Sequence, residues 1–289
     1  MRITKQNGYY LKRNNLKKAV DAATNTAVII IGILTVIPLL WMVRTSVMSN
    51  TAIGRFPPQI IPRAILLSNY SKVLNTFPFG QYFLNTMNIV VLNIAGVLIT
   101  ATLTAYVLAR FDFKGKNFVF AVIIGCMLMP GAVTLIPVFI GWSRLGFYNT
   151  YVPLWVPAFL GGGSFNIFLI RQFILTIPKD LDEAALIDGA GRLWILLIII
   201  IPLIRPVLIA VSLFTFIGCW NDVMGPVVYL STPIKYTVSI ALSFFRSSHA
   251  SNYSSIMAVS TMSMLPAAFM YLIGQRYFVE GIVLSGLKS

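Results

Sequence analysis

Ile177-Pro178-Lys179-Asp180-Leu181-Asp182-Glu183-Ala184-Ala185-Leu186-Ile187-Asp188-Gly189-Ala190-Gly191 is a polar island between two long apolar runs, Tyr151–Ile177 and Leu193–Cys219. Each flanking run is long enough, at about 1.5 Å per helical residue, to cross about 30 Å of hydrocarbon. The island therefore reads as a loop between two membrane spans. Four of the eight acidic residues of the chain, Asp180, Asp182, Glu183 and Asp188, fall inside it. Pro178 suits the first position of a helix, where its missing N–H costs nothing. Asp180, Asp182 and Glu183 then complement the positive end of the helix dipole, and Gly189 supplies a permissive backbone for the stop. The pattern predicts a short helix over roughly 178–187, followed by a sharp break. Leu181, Ala184, Ala185 and Asp188 share one face of that helix by i, i+3, i+4 spacing. Two readings of the face stand: docking into a groove on a partner protein, or rest on the lipid surface.

Working outward, four more apolar runs appear, at about Ala22–Val43, Phe83–Ala109, Phe118–Gly141 and Ser254–Phe278, which makes six spans. The whole chain agrees with a membrane assignment. Of its 289 residues 57% are hydrophobic and 10% charged, well under half the charged share of a soluble protein. Mean hydropathy is +0.83. Helices are the expected form, because lipid cannot satisfy open backbone groups and no alternating barrel pattern is present. The fold class is all-α, a polytopic membrane protein of six transmembrane helices, with a basic tail over 1–21 and one membrane domain over 22–289. The first run follows Lys12, Arg13, Lys17 and Lys18 but is longer than a signal-peptide core, so it reads as a retained anchor helix.

The net charge of +14 would suit nucleic acid, but the basic residues lie between spans, where membrane topology uses them. Arg2, Lys5, Lys12, Arg13, Lys17 and Lys18 precede the first span. Arg110, Lys114 and Lys116 follow the second, Arg171, Lys179 and Arg192 bracket the polar island, and Arg276 and Lys288 close the chain. The opposite side carries only Arg44, Arg55, Arg63, Lys72, Arg144, Lys235 and Arg246, half as many. Both termini and the 178–192 loop are thus expected in the cytoplasm. On the outer side Asp222 is the lone acid. The basic excess there concentrates anionic solutes within about 10 Å at 0.1 M salt, which motivates an acidic, uronate-containing substrate. Contacts with an acidic partner surface or with anionic lipid are competing explanations.

Cys126 and Cys219 fall within apolar runs and read as small buried hydrophobes. His249 has no acid or cysteine nearby, so a metal site is not expected. Thr86, Asn93, Thr100 and Thr104 repeat along one face of the second span, with Asn85 and Asn88 near its outer end. They serve either a solute path or ordinary interhelical packing. Trp220-Asn221-Asp222 ends the fifth span at the outer interface, where Trp is common. Gly161-Gly162-Gly163-Ser164 lacks a following Lys and reads as a hinge or broken helix in the fourth span. No G-x-x-x-x-G-K-[ST] sequence occurs, so any ATP hydrolysis belongs to another chain. A convergent enzyme site is also missing. An ion-coupled secondary transporter is the alternative class, although such carriers keep ionisable groups near mid-membrane and no acid lies at mid-span here.

Glu183-Ala184-Ala185, Asp188-Gly189-Ala190, Ile201-Pro202 and Pro206 together resemble the EAA loop of ABC importer permeases. Ala105-Tyr106-Val107-Leu108-Ala109-Arg110-Phe111, Phe165-Asn166-Ile167-Phe168 with Arg171-Gln172-Phe173, and Trp220-Asn221-Asp222 are similar to the carbohydrate branch. The ending Gln275-Arg276-Tyr277-Phe278-Val279 with Gly286-Leu287-Lys288 resembles the maltose-type inner-membrane permease. The resemblance covers about residue 80 to the C-terminus and implies a type I ABC importer permease fold. It also implies partners: a homologous second permease subunit, two cytoplasmic ATPase subunits holding ATP and Mg, and an extracytoplasmic solute-binding protein. By the same resemblance Glu183, Ala184, Ala185, Asp188 and Gly189 would couple the chain to the ATPase. Asn85, Asn88, Asn93, Trp220, Asn221 and Asp222 would line a substrate path, and Gly286-Leu287-Lys288-Ser289 would reach toward the ATPase. The cargo would be a sugar or oligosaccharide. No cofactor and no nucleic acid is expected on this chain, and membrane lipid surrounds it.

Overall fold

The computed structural model describes residues 3–249 and 251–286, with side chains placed for residues 18–275 apart from 19 and 250. Leu287, Lys288 and Ser289, expected near an ATPase, lie outside the described residues, as do the first two residues of the basic tail. No strand occurs among the described residues. The chain divides into two compact units, Met1–Val73 with His249–Thr261, and Leu74–Ser248 with Met262–Ser289.

In the first unit, α1 (Ile3–Ser46) is one helix. It runs straight through the expected boundary between tail and span at residues 21 and 22, where neither Pro nor Gly interrupts it. Its membrane portion, Val20–Ser46, has none of its most apolar window buried. Two short helices follow, α2 (Asn50–Ile53) and α3 (Ser68–Thr76). The end of α1 leaves carbonyls without helical partners, and Asn69 answers one of them and one of the adjoining turn by donating to Ser46 O and Met48 O at 2.9 Å. Asn50 donates to Asn252 Oδ1 at 2.9 Å and accepts from the Ser254 N–H at 3.0 Å.

The second unit is built around α4 (Phe79–Arg110), packed on α7 (Val152–Phe159), α8 (Ser164–Leu175) and α12 (Arg205–Asn221). Small residues on the buried side of α4, among them Gly96, Ala101 and Ala105, let neighbouring backbones approach closely, as packing in lipid requires. A methyl group on Gly96 would sit 2.7 Å from the Phe159 ring. The fourth span is broken where the glycines stand: Gly162 and Gly163 have φ of 68° and 82°, and α7 and α8 together form one span, Val152–Leu175.

Two expected straight spans are bent. The third is α5 (Lys116–Met127) plus α6 (Gly131–Arg144), which meet at 98°. Pro130 stands at the break and cannot continue a helical hydrogen-bond ladder. The loop helix α9 (Asp180–Ile187) precedes the fifth. That fifth run starts with α10 (Arg192–Trp194), a π-helical stretch (Ile195–Ile200) and α11 (Ile201–Leu203), then turns 79° into α12. Pro202 and Pro206 each remove an N–H there, and the π-helical turn absorbs part of the mismatch. Among the described residues there are four long apolar helices, or up to six spans when each bent pair is one. Beyond α12, the chain forms α13 (Met224–Tyr229) and α14 (Val238–Ser248), and α14 packs back on α4. Just before α4, Phe77 meets Phe245 of α14 edge to face, with ring centroids 5.4 Å apart. The last helix is α15 (Tyr253–Gly286).

Candidate coupling site

Helix α9 starts two residues later than Pro178, because the Lys179 carbonyl is the first acceptor, taking the N–H groups of Asp182 and Glu183 at 2.9 and 3.1 Å. Its C-terminal end is closed by two paired bonds: Gly189 N–H to Leu186 O at 3.0 Å and Ala190 N–H to Ala185 O at 2.9 Å. That is the Schellman arrangement, which needs a left-handed residue at its corner. Gly189 provides it with φ of 86°.

The face predicted as one surface is divided. Glu183, Ala184, Ile187 and Asp188 are exposed, Ile187 by 87%, whereas Ala185 is 8% exposed and joins the core of the second unit. Leu181, Ala184, Ala185, Asp188 and Gly189 nevertheless border a single open hollow of about 560 Å³, which Trp194 also lines. Glu183 forms no ion pair among the described residues.

Asp182 is the residue that spacing did not reveal. As an early-turn acid it reads as a dipole partner, but its side chain turns inward and is 5% exposed. Its Oδ2 lies 3.0 Å from Nε of Arg110, itself 2% exposed, at the end of α4. The contact is charge to charge, since neither carboxylate oxygen accepts a hydrogen bond among the described residues. Arg110 Nη2 donates in addition to Ile177 O at 3.0 Å. One turn earlier on α4, the Tyr106 hydroxyl donates to Arg192 O at 3.2 Å, and the Arg192 guanidinium lies over the Phe111 ring at 5.3 Å. Removing one partner of a buried ion pair costs on the order of 3–5 kcal/mol. In the adjoining turn Lys116 donates to Asp112 at 3.1 Å and holds that carboxyl below its ordinary range.

The residues expected along a solute path separate by environment. Asn85 is buried and donates to Ile234 O and Tyr236 O at 2.9 Å. Asn93 donates to Leu154 O at 2.8 Å. Thr100 Oγ1 lies 2.7 Å from Gly96 O and 2.8 Å from Ala158 O, which share its proton. Trp220 is buried, donates to Ser263 O at 3.1 Å and stacks on Phe216. Asp222 accepts the Gly225 N–H at 3.0 Å. Asn88 and Asn221 keep exposed side chains, Asn221 bonding only back to Ile217 O within its own helix. No cluster of three metal-ligating side chains occurs among the described residues.

The arabinooligosaccharides transport system permease protein AraQ of Halalkalibacterium halodurans is 29% identical over 90% of this chain and 93% of its own length. The osmoprotective compounds uptake permease protein GgtD of Synechocystis sp. is 34% identical over 77% of this chain and 75% of its own. The fold superposes with a TM-score of 0.76 on a bacterial ABC transporter involved in the import of the acidic polysaccharide alginate, at 25% identity, covering 88% of this chain and 95% of that one. Residues 98–283, which hold α9 and both partners of the buried ion pair, match the binding-protein-dependent transport system inner membrane component family, and the chain belongs to that family.

Proposed function

We propose that the chain is one permease subunit of an ATP-driven importer, passing an oligosaccharide from an extracytoplasmic solute-binding protein into the cytoplasm. The observation that carries this reading is α9 itself: a short helix fixed from beneath by Asp182 and Ala185, with Glu183, Ala184, Ile187 and Asp188 left exposed beside an open hollow. Such a surface suits a partner, and the partner class is a cytoplasmic ATPase. Two ATPase subunits supply ATP and Mg, a second homologous permease completes the pathway, and the termini and the 178–192 loop face the cytoplasm. Family membership disfavours the ion-coupled alternative.

The cargo is an acidic oligosaccharide. Between Ala22 and Phe111 there is no acidic residue, and Arg55 and Arg63, with Gln59, border one hollow of about 200 Å³ in the outer segment. Arginine pairs suit carboxylates, and the alginate importer shares the fold. Asn88 and Asn221 are the polar groups of the path, since their side chains are exposed, while Asn85, Asn93, Trp220 and Asp222 shape its walls. The test is purification of the native complex with a tag on this chain. Recovery of an ATPase and a second permease is expected, and recovery of this chain alone would overturn the assignment. In the reconstituted complex with its binding protein, uronate oligosaccharides should stimulate ATP hydrolysis, more strongly at low salt than at high. Stimulation by neutral sugars only, at both salt levels, refutes the acidic cargo and leaves the importer standing.

A further inference from the structure

Both ends of the 178–192 loop are bound to the last turns of α4. Arg110 holds the entry, through Ile177 O and through Asp182 in the first turn of α9. Tyr106, four residues earlier and so on the same face, holds the exit through Arg192 O. An eight-residue helix such as α9 is too short to persist by itself in water, so its orientation comes from these attachments. Of them, the Arg110–Asp182 contact is the one between full charges, and it lies where water does not screen it. Helix α4 in turn packs on α7, α8 and α12, so whatever turns its end is felt by three other spanning elements.

We propose that Arg110 and Asp182 are a positioning pair that locks α9 to the end of α4, so that the two move as one body when the partner ATPase changes state. This rests on the reading of α9 as the ATPase-docking helix. Neither oxygen of Asp182 has a hydrogen-bond donor among the described residues, so the carboxylate depends on Arg110 for compensation. Arg110 also reaches two targets, one with Nε and one with Nη2, which a lysine ammonium on a flexible stem cannot reproduce in fixed geometry.

The test uses the full complex with its ATPase subunits in proteoliposomes, in a background lacking Cys126 and Cys219. Spin labels replace Asp180 at the start of α9 and Ile99 on α4, both exposed positions. The distance between them is measured without nucleotide and after trapping with ATP and vanadate, so no sugar is needed. With the native pair the distribution should be narrow and the same in both states. In D182N and in R110Q it should broaden or shift on trapping. The double variant R110M/D182L separates a link from simple stabilisation, because apolar replacement of a buried ion pair is often neutral for stability. It should assemble and melt like the parent complex yet lose the state-independent distance. If R110Q does not assemble, R110K carries the comparison and should be intermediate. A native distance that changes on trapping overturns the proposal, and so does a native-like distribution in D182N and R110M/D182L. Crosslinking from Ile187→Cys to the ATPase reports separately on docking: its absence refutes the docking reading, while the distance data still decide the link.

Discussion

At Gly189 a backbone angle, and not space, limits what the position accepts. A methyl group there would meet nothing within 4 Å, yet φ is 86°. A side chain in that left-handed region costs about 1–2 kcal/mol, Asn less than others, and β-branched residues are least tolerated. G189V should therefore impair uptake and substrate-stimulated ATP hydrolysis while membrane insertion persists, and G189N should recover much of the loss. Unchanged uptake in G189V would contradict the account. This residue was legible because its signal is local: an acid-rich first turn, then glycine after the last apolar position. Asp182 was not. Its sequence neighbours place it in the first turn, where a dipole role is sufficient explanation, and its partner Arg110 is distant in the chain. Only the packing of α9 on α4 tells which early acid turns inward.

Among the elements, the break in the fourth span is the most constrained. A methyl on Gly162 would lie 2.6 Å from the Ala101 backbone nitrogen and 2.8 Å from Thr100 Oγ1, at a φ of 68°. Overpacking costs about 1–3 kcal/mol, with the left-handed backbone in addition. G162A should lower the melting temperature of the purified complex by several degrees, and G161A, whose methyl would meet open space, should leave it nearly unchanged. Equal melting of the two variants would show that α7 does not seat on α4 as described. The glycine run announced this break, whereas the bends in the third and fifth spans were hidden. Pro130, Pro202 and Pro206 were in plain view, but apolar residues continue on both sides of each. Hydropathy over a span-length window joins what the backbone separates. The polar residues of α4 were ambiguous for a related reason: spacing puts Asn93 and Thr100 on one face but cannot say that the carbonyls of Leu154 and Ala158 meet them there.

For the whole molecule, the charge distribution leads to an expected side of the membrane for each loop. Cysteines introduced at Arg55 and Arg63 should react with an impermeant reagent added outside, and one at Glu183 should not, in a background without Cys126 and Cys219; the reverse pattern would invert the topology. Six spans were readable because lipid imposes one simple rule on composition. How the spans meet was not, since in hydrocarbon the apolar side chains that touch a neighbour and those that touch lipid look alike in sequence. The first helix is the extreme of that ambiguity, with none of its most apolar window buried by its own chain. The free energy of that window is consequently dominated by partitioning, while the tertiary contacts of the helix gather at its C-terminal end, where Thr45 and Ser46 are buried and Asn69 binds Ser46 O. Insertion fixes the depth and direction of the window, and only the last turn is held by protein among the described residues. By mass action a surface left open in this way gains stability from whatever covers it, so a denaturation curve of the lone subunit should report the core around α4 and be blind to anything that packs against the middle of the first helix.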